Sequence, residues 1–398
     1  MTRPATFENA LAFAQDLIRI PSPSGHEGEV AERLRSEMEL LGFSDIRVDE
    51  VGNVVGVVPG AGTAPPVLLN SHLDVVAEGD HEEWAHPPFA AEVVDGFLHG
   101  RGAMDIKGPL AIQTYAAAAL AGRAPGDVIV AHTVFEERGG LGMKHLMESG
   151  SVTPGAVVIG EATHGDICIG HRGRGEIEVV IRGLAGHASA PGRAKNALDL
   201  VPVVLDVVAD LAGSQAEDPV LGASTIVATG LDVLPESRNV IPDRVTVVLD
   251  WRVLPDMDTD AMTRGVREAM NARLGALPEG FAIDVSMAME SQGTYTGMTH
   301  ERSLFTPGFL MDPTDALVQA AASAVGRPSG QGPAHVRPWT FATDGGWTHG
   351  VFGIPTVGFA PGEERYAHTN RERLELDEAR WSFERYPDLV LGLQQVLA

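Results

Sequence analysis

The chain has 398 residues and carries 54 Asp+Glu against 29 Lys+Arg, which gives a formal net charge of −25. This acid excess excludes nucleic acid and anionic membranes as main partners, because both would be repelled. The hydrophobic fraction of 44% is that of a globular protein, and the length predicts two or three domains. The single cysteine, Cys168, excludes an intramolecular disulfide. No apolar stretch reaches the ~18 residues of a membrane span, so we expect a cytoplasmic protein.

The first part of the chain alternates between helical and strand patterns. A helix is predicted over 6–20, and Ser24 with Glu27 predicts a capping box for a second helix that ends at Gly42. After it, strands are predicted at 54–58, 66–70, 127–133 and 156–159, and helices at 112–120 and 141–149. Such alternation favours an α/β domain with a mostly parallel sheet.

A different pattern runs from about 176 to 290. Strands are predicted at 176–182, 224–230, 244–252 and 281–288, and helices at 197–211 and 259–274. This β-α-β-β-α-β order is that of a ferredoxin-like α+β sandwich. A helix at 314–325 and a strand at 355–360 then resume the first pattern. We therefore predict one α/β domain in two halves, 1–175 and 293–398, with an inserted ferredoxin-like domain at 176–292.

Acidic and imidazole side chains recur at the C-terminal ends of the predicted strands and in one glycine-containing loop. They are His72, Asp74, Asp105, Glu136, Glu137, Glu161 and His368. Each is ambiguous alone, since His-x-Asp pairs are common and Asp105 could lie in a surface turn. Together they occupy the sheet edge where α/β proteins bind ligands. Two His, one Asp and two Glu suit a pair of zinc or similar ions. The adjacent Glu136 and Glu137 repel each other unless cations neutralise them, and one could remain free as a general base.

These motifs, in this order, resemble those of the M20 metallopeptidases. That family includes acetylornithine deacetylase, succinyl-diaminopimelate desuccinylase, aminoacylase-1 and glutamate carboxypeptidase. The stretches Gly160-Glu161-Ala162-Thr163 and Gly186-His187-Ala188-Ser189 look like those of its YgeY-type hydrolase branch. The resemblance implies a catalytic domain, formed by 1–175 and 293–398, and a lid and dimerisation domain at 176–292.

The resemblance also implies roles for individual residues. His72 and Glu161 would bind one divalent ion, Glu137 and His368 a second, and Asp105 would bridge them. The ions would be zinc, with cobalt as the alternative. Asp74 would orient His72, and Glu136 would be the general acid and base. Three residues would act from the inserted domain, namely His187, Asn239 and Arg252.

Of these three, His187 would polarise the scissile carbonyl, in its own chain or across the interface of a homodimer. Asn239 and Arg252 would hold the backbone and carboxylate of the substrate. For Arg252 an ion pair with Asp250 or Asp256 is the alternative to a substrate contact.

The function implied is hydrolysis of the amide bond of an N-acyl amino acid, with a water molecule shared by two metal ions as the nucleophile. A dipeptidase or carboxypeptidase would use the same centre, and the loop 343–347 does not distinguish among these substrates. The alternative from another class is a non-catalytic protein that binds amino-acid conjugates. Such a protein would be expected to have lost Glu136 or a ligand, and all these residues are present.

Overall fold

Two compact units divide the chain in a computed structural model that describes residues 2–398. The first unit consists of the chain up to His171 together with Gln292–His300 and Phe309–Ala398. The second consists of Arg172–Ser291 and Glu301–Gly308. The roles of 1–175 and 293–398 as a catalytic domain, and of 176–292 as a lid, stay predictions.

The first unit is built around an eight-stranded sheet. From one edge to the other its strands are Ser44–Val48, Val54–Val58, Val128–Thr133, Val67–His72, Ala156–Ile159, Thr356–Gly358, Ile167–Cys168 and Val336–Arg337. The four central strands are parallel, whereas the first two pair antiparallel at one edge. Every residue of Val67–His72 and of Val128–Thr133 is buried, as expected for parallel strands covered on both faces. The predicted α/β class is therefore confirmed.

Six α-helices belong to the same unit. They are Phe7–Ile18, Gly28–Leu41, Lys107–Ala118, Leu141–Glu148, Ala316–Val325 and Leu376–Leu397. The first begins after Thr6, whose side chain accepts a hydrogen bond from the Asn9 backbone N–H. The second ends at Gly42, which takes the left-handed conformation at φ 84°. The helix Phe7–Ile18 was predicted from the sequence, whereas the helix Leu376–Leu397 was not.

The capping box predicted at Ser24 and Glu27 is wrong. The second helix begins at Gly28, and the Glu27 side chain makes no capping hydrogen bond. The Ser24 hydroxyl instead donates to Oδ2 of Asp74 at 2.7 Å, and Glu27 is fully buried. A buried carboxylate is a stronger acceptor than a neutral group, so a contact distant in sequence replaces the local cap.

The second unit has the predicted β-α-β-β-α-β order. Its main sheet runs Thr225–Leu234, Arg244–Val253, Gly173–Arg182, Ala282–Met287, with antiparallel neighbours throughout. The helices Val201–Ala212 and Thr259–Leu274 pack on it through buried aliphatic side chains. This strand order, with the first and third strands at the centre, is the ferredoxin-like arrangement that we expected.

Within the residues described, no helix is long and apolar enough to cross a membrane.

His132 provides a test of the core of the first unit. It is fully buried in the strand Val128–Thr133, and its Nε2 lies 3.0 Å from the Thr114 hydroxyl. Burial lowers the pKa of His132 from an ordinary 6.5 to about 3. Between these values the unfolded chain binds a proton that the folded chain does not. His132 therefore makes stability fall as pH falls from about 6.5, by up to ~1.4 kcal/mol per pH unit.

We expect His132→Gln to remove this contribution. The difference in urea midpoint between wild type and variant should be largest at pH 8 and should shrink towards pH 5. A difference that stays constant over this range would contradict a neutral, buried His132.

Candidate metal centre

His72 is the last residue of the strand Val67–His72, at the carboxyl edge of the parallel sheet. Its Nδ1 lies 2.7 Å from the backbone carbonyl of Asp74, which can only accept, so Nδ1 carries the hydrogen. In the neutral ring Nε2 therefore presents a lone pair. That atom is buried, makes no hydrogen bond, and lies 3.3 Å from both Asp105 Oδ1 and Glu161 Oε1. An atom placed between two carboxylates is satisfied by positive charge, supplied either by a second proton on the ring or by a metal ion that the lone pair binds.

A second group of ligand atoms lies beside the first. His368 Nε2 is 3.2 Å from Asp105 Oδ2 and 3.0 Å from Glu137 Oε2. Candidate ligand atoms of His72, Asp105 and Glu161 lie within 4.8 Å of one another, as do those of Asp105, Glu137 and His368. Asp105 belongs to both groups and directs one carboxylate oxygen to each. The structure thus brings together all five ligands predicted from the sequence.

Glu136 lies next to these groups without belonging to either. Its Oε2 is 4.0 Å from His72 Nε2, and its side chain is 11% exposed. The backbone N–H groups of Glu136 and Glu137 donate to the two carboxylate oxygens of Asp74 at 3.1 and 3.3 Å. The buried Asp74 carboxylate therefore positions this turn, while its backbone carbonyl, rather than its carboxylate, is the group nearest to His72.

The local sequence explains the shape of this turn. Phe135 takes a left-handed conformation at φ 56°, and Gly140 does so at φ 71°. A Cβ atom at Gly140 would lie 2.6 Å from the Trp347 indole nitrogen and 2.7 Å from Asp344 Oδ1, so only glycine fits. His368 is also left-handed at φ 58°. Non-glycine residues in this conformation concentrate at functional sites.

The electrostatics of the cluster reflect its density of charge. Burial, with the charge of Glu161, raises the pKa of Glu136 well above its usual value. Burial raises the pKa of Glu161 to about 7, and it also raises that of Glu137. Burial opposes charge on Asp105 as well, but the adjacent imidazoles of His368 and His72 lower its pKa below the usual range. Hydrogen bonds with Asp105 and Glu137 raise the pKa of His368 to about 10.

These side chains fit divalent metal ions. Four carboxylates, those of Asp105, Glu136, Glu137 and Glu161, are concentrated at a buried edge, and two divalent ions would balance their charge. Imidazole and carboxylate donors are the set that zinc and similar borderline ions prefer. The unsatisfied Nε2 of His72 is an independent sign that a cation belongs there.

Glu372 supports the centre and was not predicted from the sequence. Its Oε1 accepts from the backbone N–H groups of Met104 and Asp105, both at 3.0 Å, and its Oε2 accepts from Arg101 Nη1 at 2.5 Å. The carboxylate thus holds the loop that carries Asp105. Burial raises the pKa of Glu372 to about 7. A carboxylate four residues after His368 was the only available signal in the sequence.

Two other buried charged groups lie at this edge without a predicted role. Lys107 donates from Nζ to the Ile20 carbonyl at 2.6 Å, and burial lowers its pKa to about 7. Asp344, in the loop 343–347, accepts from the Thr133 hydroxyl at 2.7 Å. Its other oxygen is buried and makes no hydrogen bond, and burial raises its pKa to about 7.

The three remaining predicted residues lie in the second unit. The short strand Gly186–His187 pairs with Val240–Ile241, and the Ala188 N–H donates to the Asn239 carbonyl at 3.0 Å, so His187 and Asn239 are neighbours. The Ser189 N–H donates to His187 Nδ1 at 3.1 Å, so in the neutral ring Nε2 carries the hydrogen. Arg252 pairs with Asp250 at 2.7 Å, the alternative contact considered above. Its contact with substrate stays a prediction.

Comparisons with known proteins identify the family of the chain. The family model described as peptidase family M20/M25/M40 matches residues 68–390. The chain belongs to the M20 peptidase family. YgeY of Escherichia coli strain K12, an uncharacterized protein, is 30% identical over 366 residues, which are 91% of this chain and 88% of YgeY. Succinyl-diaminopimelate desuccinylase of Ruegeria pomeroyi is 32% identical over 325 residues, covering 78% of this chain and 82% of that enzyme.

Solved structures extend the agreement over the fold of nearly the whole chain. The M20 family metallo-carboxypeptidase Sso-CP2 from Sulfolobus solfataricus aligns with a TM-score of 0.76 at 17% identity, covering 98% of this chain and 99% of that one. At this identity the alignment supports the fold alone. Family membership and the two ligand groups together make the chain a metal-dependent hydrolase of the M20 type.

Proposed function

We propose that the protein hydrolyses the amide bond of an N-acyl amino acid, with two zinc ions held at the carboxyl edge of the parallel sheet. The observation that carries this proposal is the pair of ligand groups that share Asp105, with Glu136 beside them but in neither group. In this assignment His72 and Glu161 would hold one ion, Glu137 and His368 would hold the other, and Asp105 would serve both. When bound, the ions supply Lewis acidity and lower the pKa of a water molecule towards about 7.

Glu136 performs the proton transfers in this proposal. Its carboxylate takes a proton from the attacking water and later delivers it to the leaving amine. Asp74 contributes by fixing the backbone of Glu136 and Glu137 through two hydrogen bonds. Since the position of the base then depends on Asp74, we assign Asp74 a positioning role in addition to its contact with His72.

Residues of the second unit recognise the substrate in this proposal. His187 has the tautomer that a donor needs, because its Nδ1 accepts from the Ser189 N–H and leaves Nε2–H available. We propose that this N–H stabilises the oxyanion formed from the scissile carbonyl. Asn239, adjacent to His187, holds the substrate backbone. Arg252 binds the free carboxylate, exchanging its ion pair with Asp250 for the substrate.

A peptidase is the second candidate, because Sso-CP2 is a carboxypeptidase whereas the Ruegeria pomeroyi relative is a desuccinylase. The test is a panel of N-acetyl and N-succinyl amino acids against dipeptides, assayed on protein with its bound metal counted by elemental analysis. We expect the N-acyl amino acids to have the higher kcat/KM. Preferential cleavage of dipeptides would reassign the substrate, and absence of hydrolysis by fully loaded protein would favour a conjugate-binding role.

We further propose that the protein is a cytoplasmic homodimer. Cys168 is a buried free thiol, which fits a reducing compartment. The edge strand Thr225–Leu234 has one unpaired side in the sheet and exposes Val227 and Leu231 by about half. An apolar edge strand is suited to pair with a second copy around a two-fold axis.

Subunit mixing tests whether His187 acts on the partner's substrate. Glu136→Ala and His187→Ala chains, each inactive alone, are mixed after reversible dissociation. If each site uses Glu136 from one chain and His187 from the other, half the dimers are mixed and each has one intact site. Activity should then recover to roughly a quarter of wild type under random two-fold pairing. No recovery after proven subunit exchange would mean that His187 serves its own chain or has no catalytic part.

A further inference from the structure

A pocket of about 350 Å³ lies beside the segment that follows His368, within the first unit. Its lining includes Trp84, His86, His99, Tyr366, Arg371 and Arg373. This volume is in the range of small-molecule sites. None of these six side chains belongs to the ligand groups of the metal centre.

The two arginines of this pocket are not neutralised. Among residues 2–398, no carboxylate forms an ion pair with Arg371 or Arg373, although the chain has 54 acidic against 29 basic residues. The Arg373 guanidinium is 4.3 Å from the ring centroid of Phe97 and 4.8 Å from that of Tyr366. Its Nη2 donates to the Tyr366 hydroxyl at 3.0 Å, and its Nε is buried without a partner. The guanidinium is thus held in place with donor capacity unused.

The other titratable groups at the pocket leave these arginines available. The Glu372 carboxylate is already occupied by Arg101 and by the backbone N–H groups of Met104 and Asp105. Glu92 is engaged with His86 Nδ1 at 2.7 Å.

His86 and His99 also line the pocket. Their ring centroids are 4.0 Å apart. Burial, together with the charge of His86, lowers the pKa of His99, so we expect a neutral His99 ring. An anion in the pocket would therefore meet two arginines that no described carboxylate pairs with, beside a neutral His99 ring.

We propose that this pocket binds a small multivalent oxyanion, a phosphate or a polycarboxylate, through Arg371 and Arg373. More than one negative charge is proposed because the lining includes two arginines, neither of which is paired with a carboxylate within the described residues. The site is separate from the substrate contacts proposed above. Arg371 and Arg373 flank Glu372 in the sequence. The anion would therefore bind next to the residue that holds the Asp105 loop.

Isothermal titration calorimetry on the metal-loaded, full-length protein tests this site. The probes are inorganic phosphate and tricarballylate, a tricarboxylate, titrated separately at millimolar concentration. We expect at least one probe to bind, with affinity that falls as ionic strength rises. The tighter of the two identifies the class of anion. Failure of both to bind would overturn the proposal.

Variants locate the bound anion. Arg371→Gln and Arg373→Gln should each weaken binding by about tenfold or more, since each removes charge-assisted hydrogen bonds. Arg35→Gln is the matched control, because Arg35 is a surface residue already paired with Glu32 and Glu39, and it should leave affinity unchanged. If Arg373→Gln does not fold, the exposed Arg371 decides alone. Equal affinity in wild type and Arg371→Gln would place the anion elsewhere, for instance on the metal ions, and would overturn the proposal.

Discussion

Glu136→Gln is expected to lower kcat by at least ~10²–10⁴-fold, the contribution typical of general acid–base catalysis. The substitution keeps the size of the side chain and removes only its capacity to accept and return a proton. Because Glu136 lies outside both ligand groups, metal content should stay near two ions per chain. The measurements are steady-state kinetics and elemental analysis of the same preparation.

Glu148→Gln is the control for this change, because Glu148 is a surface residue with 57% of its side chain exposed, paired with Lys144. It should leave both kcat and metal content unchanged. If Glu136→Gln instead loses a metal ion, the roles of Glu136 and Glu137 are exchanged. If it retains full activity, another group is the base.

Asp105→Ala is expected to remove both metal ions and, with them, activity. Its two carboxylate oxygens face different imidazoles, at 3.3 Å from His72 and 3.2 Å from His368. Within residues 2–398, Asp105 is the only residue that belongs to both ligand groups. Metal content should therefore fall further in Asp105→Ala than in His72→Ala or His368→Ala. Equal losses in the three variants would contradict the bridging assignment.

Two controls accompany the Asp105 experiment. Asp388→Ala makes the same change on the surface of the last helix, where the side chain is 51% exposed, and should keep its metal. Wild-type protein treated with a chelator should lose activity and recover it when zinc or cobalt is added. Full activity of metal-free wild-type protein would refute the proposed chemistry.

The site residues that could be predicted from the sequence are those at the ends of strands. Hydrophobic runs at 66–70, 127–133 and 156–159 identified three buried strands, and parallel strands bring their carboxyl ends to one edge. The structure extends the first of them to His72, which thus lies within the strand rather than beyond it. Position along the strands was enough to bring His72, Glu136 and Glu161 together.

The contacts that support the site could not be predicted from the sequence, because they join segments that are distant along the chain. Ser24 and Glu27 have the spacing of a capping box, yet Ser24 bonds to Asp74, fifty residues away. Glu372 bonds to the backbone of Asp105, 267 residues away, and backbone groups have no sequence signature. Of the two ion pairs considered for Arg252, the structure forms the one with Asp250, which lies on the same strand face two positions away. Local patterns thus predicted elements and strand-end residues, but not their supporting contacts.

The two imidazoles of the centre differ strongly in their access to solvent. The His72 side chain is 2% exposed, whereas that of His368 is 53% exposed. An ion on the His368 side lies beside a half-exposed ligand, whereas one on the His72 side is surrounded by side chains that are at most 11% exposed. The two ions should therefore exchange at different rates. Brief chelation followed by a different metal would then give a mixed-metal enzyme, with a spectroscopically visible ion such as cobalt at the His368 position alone.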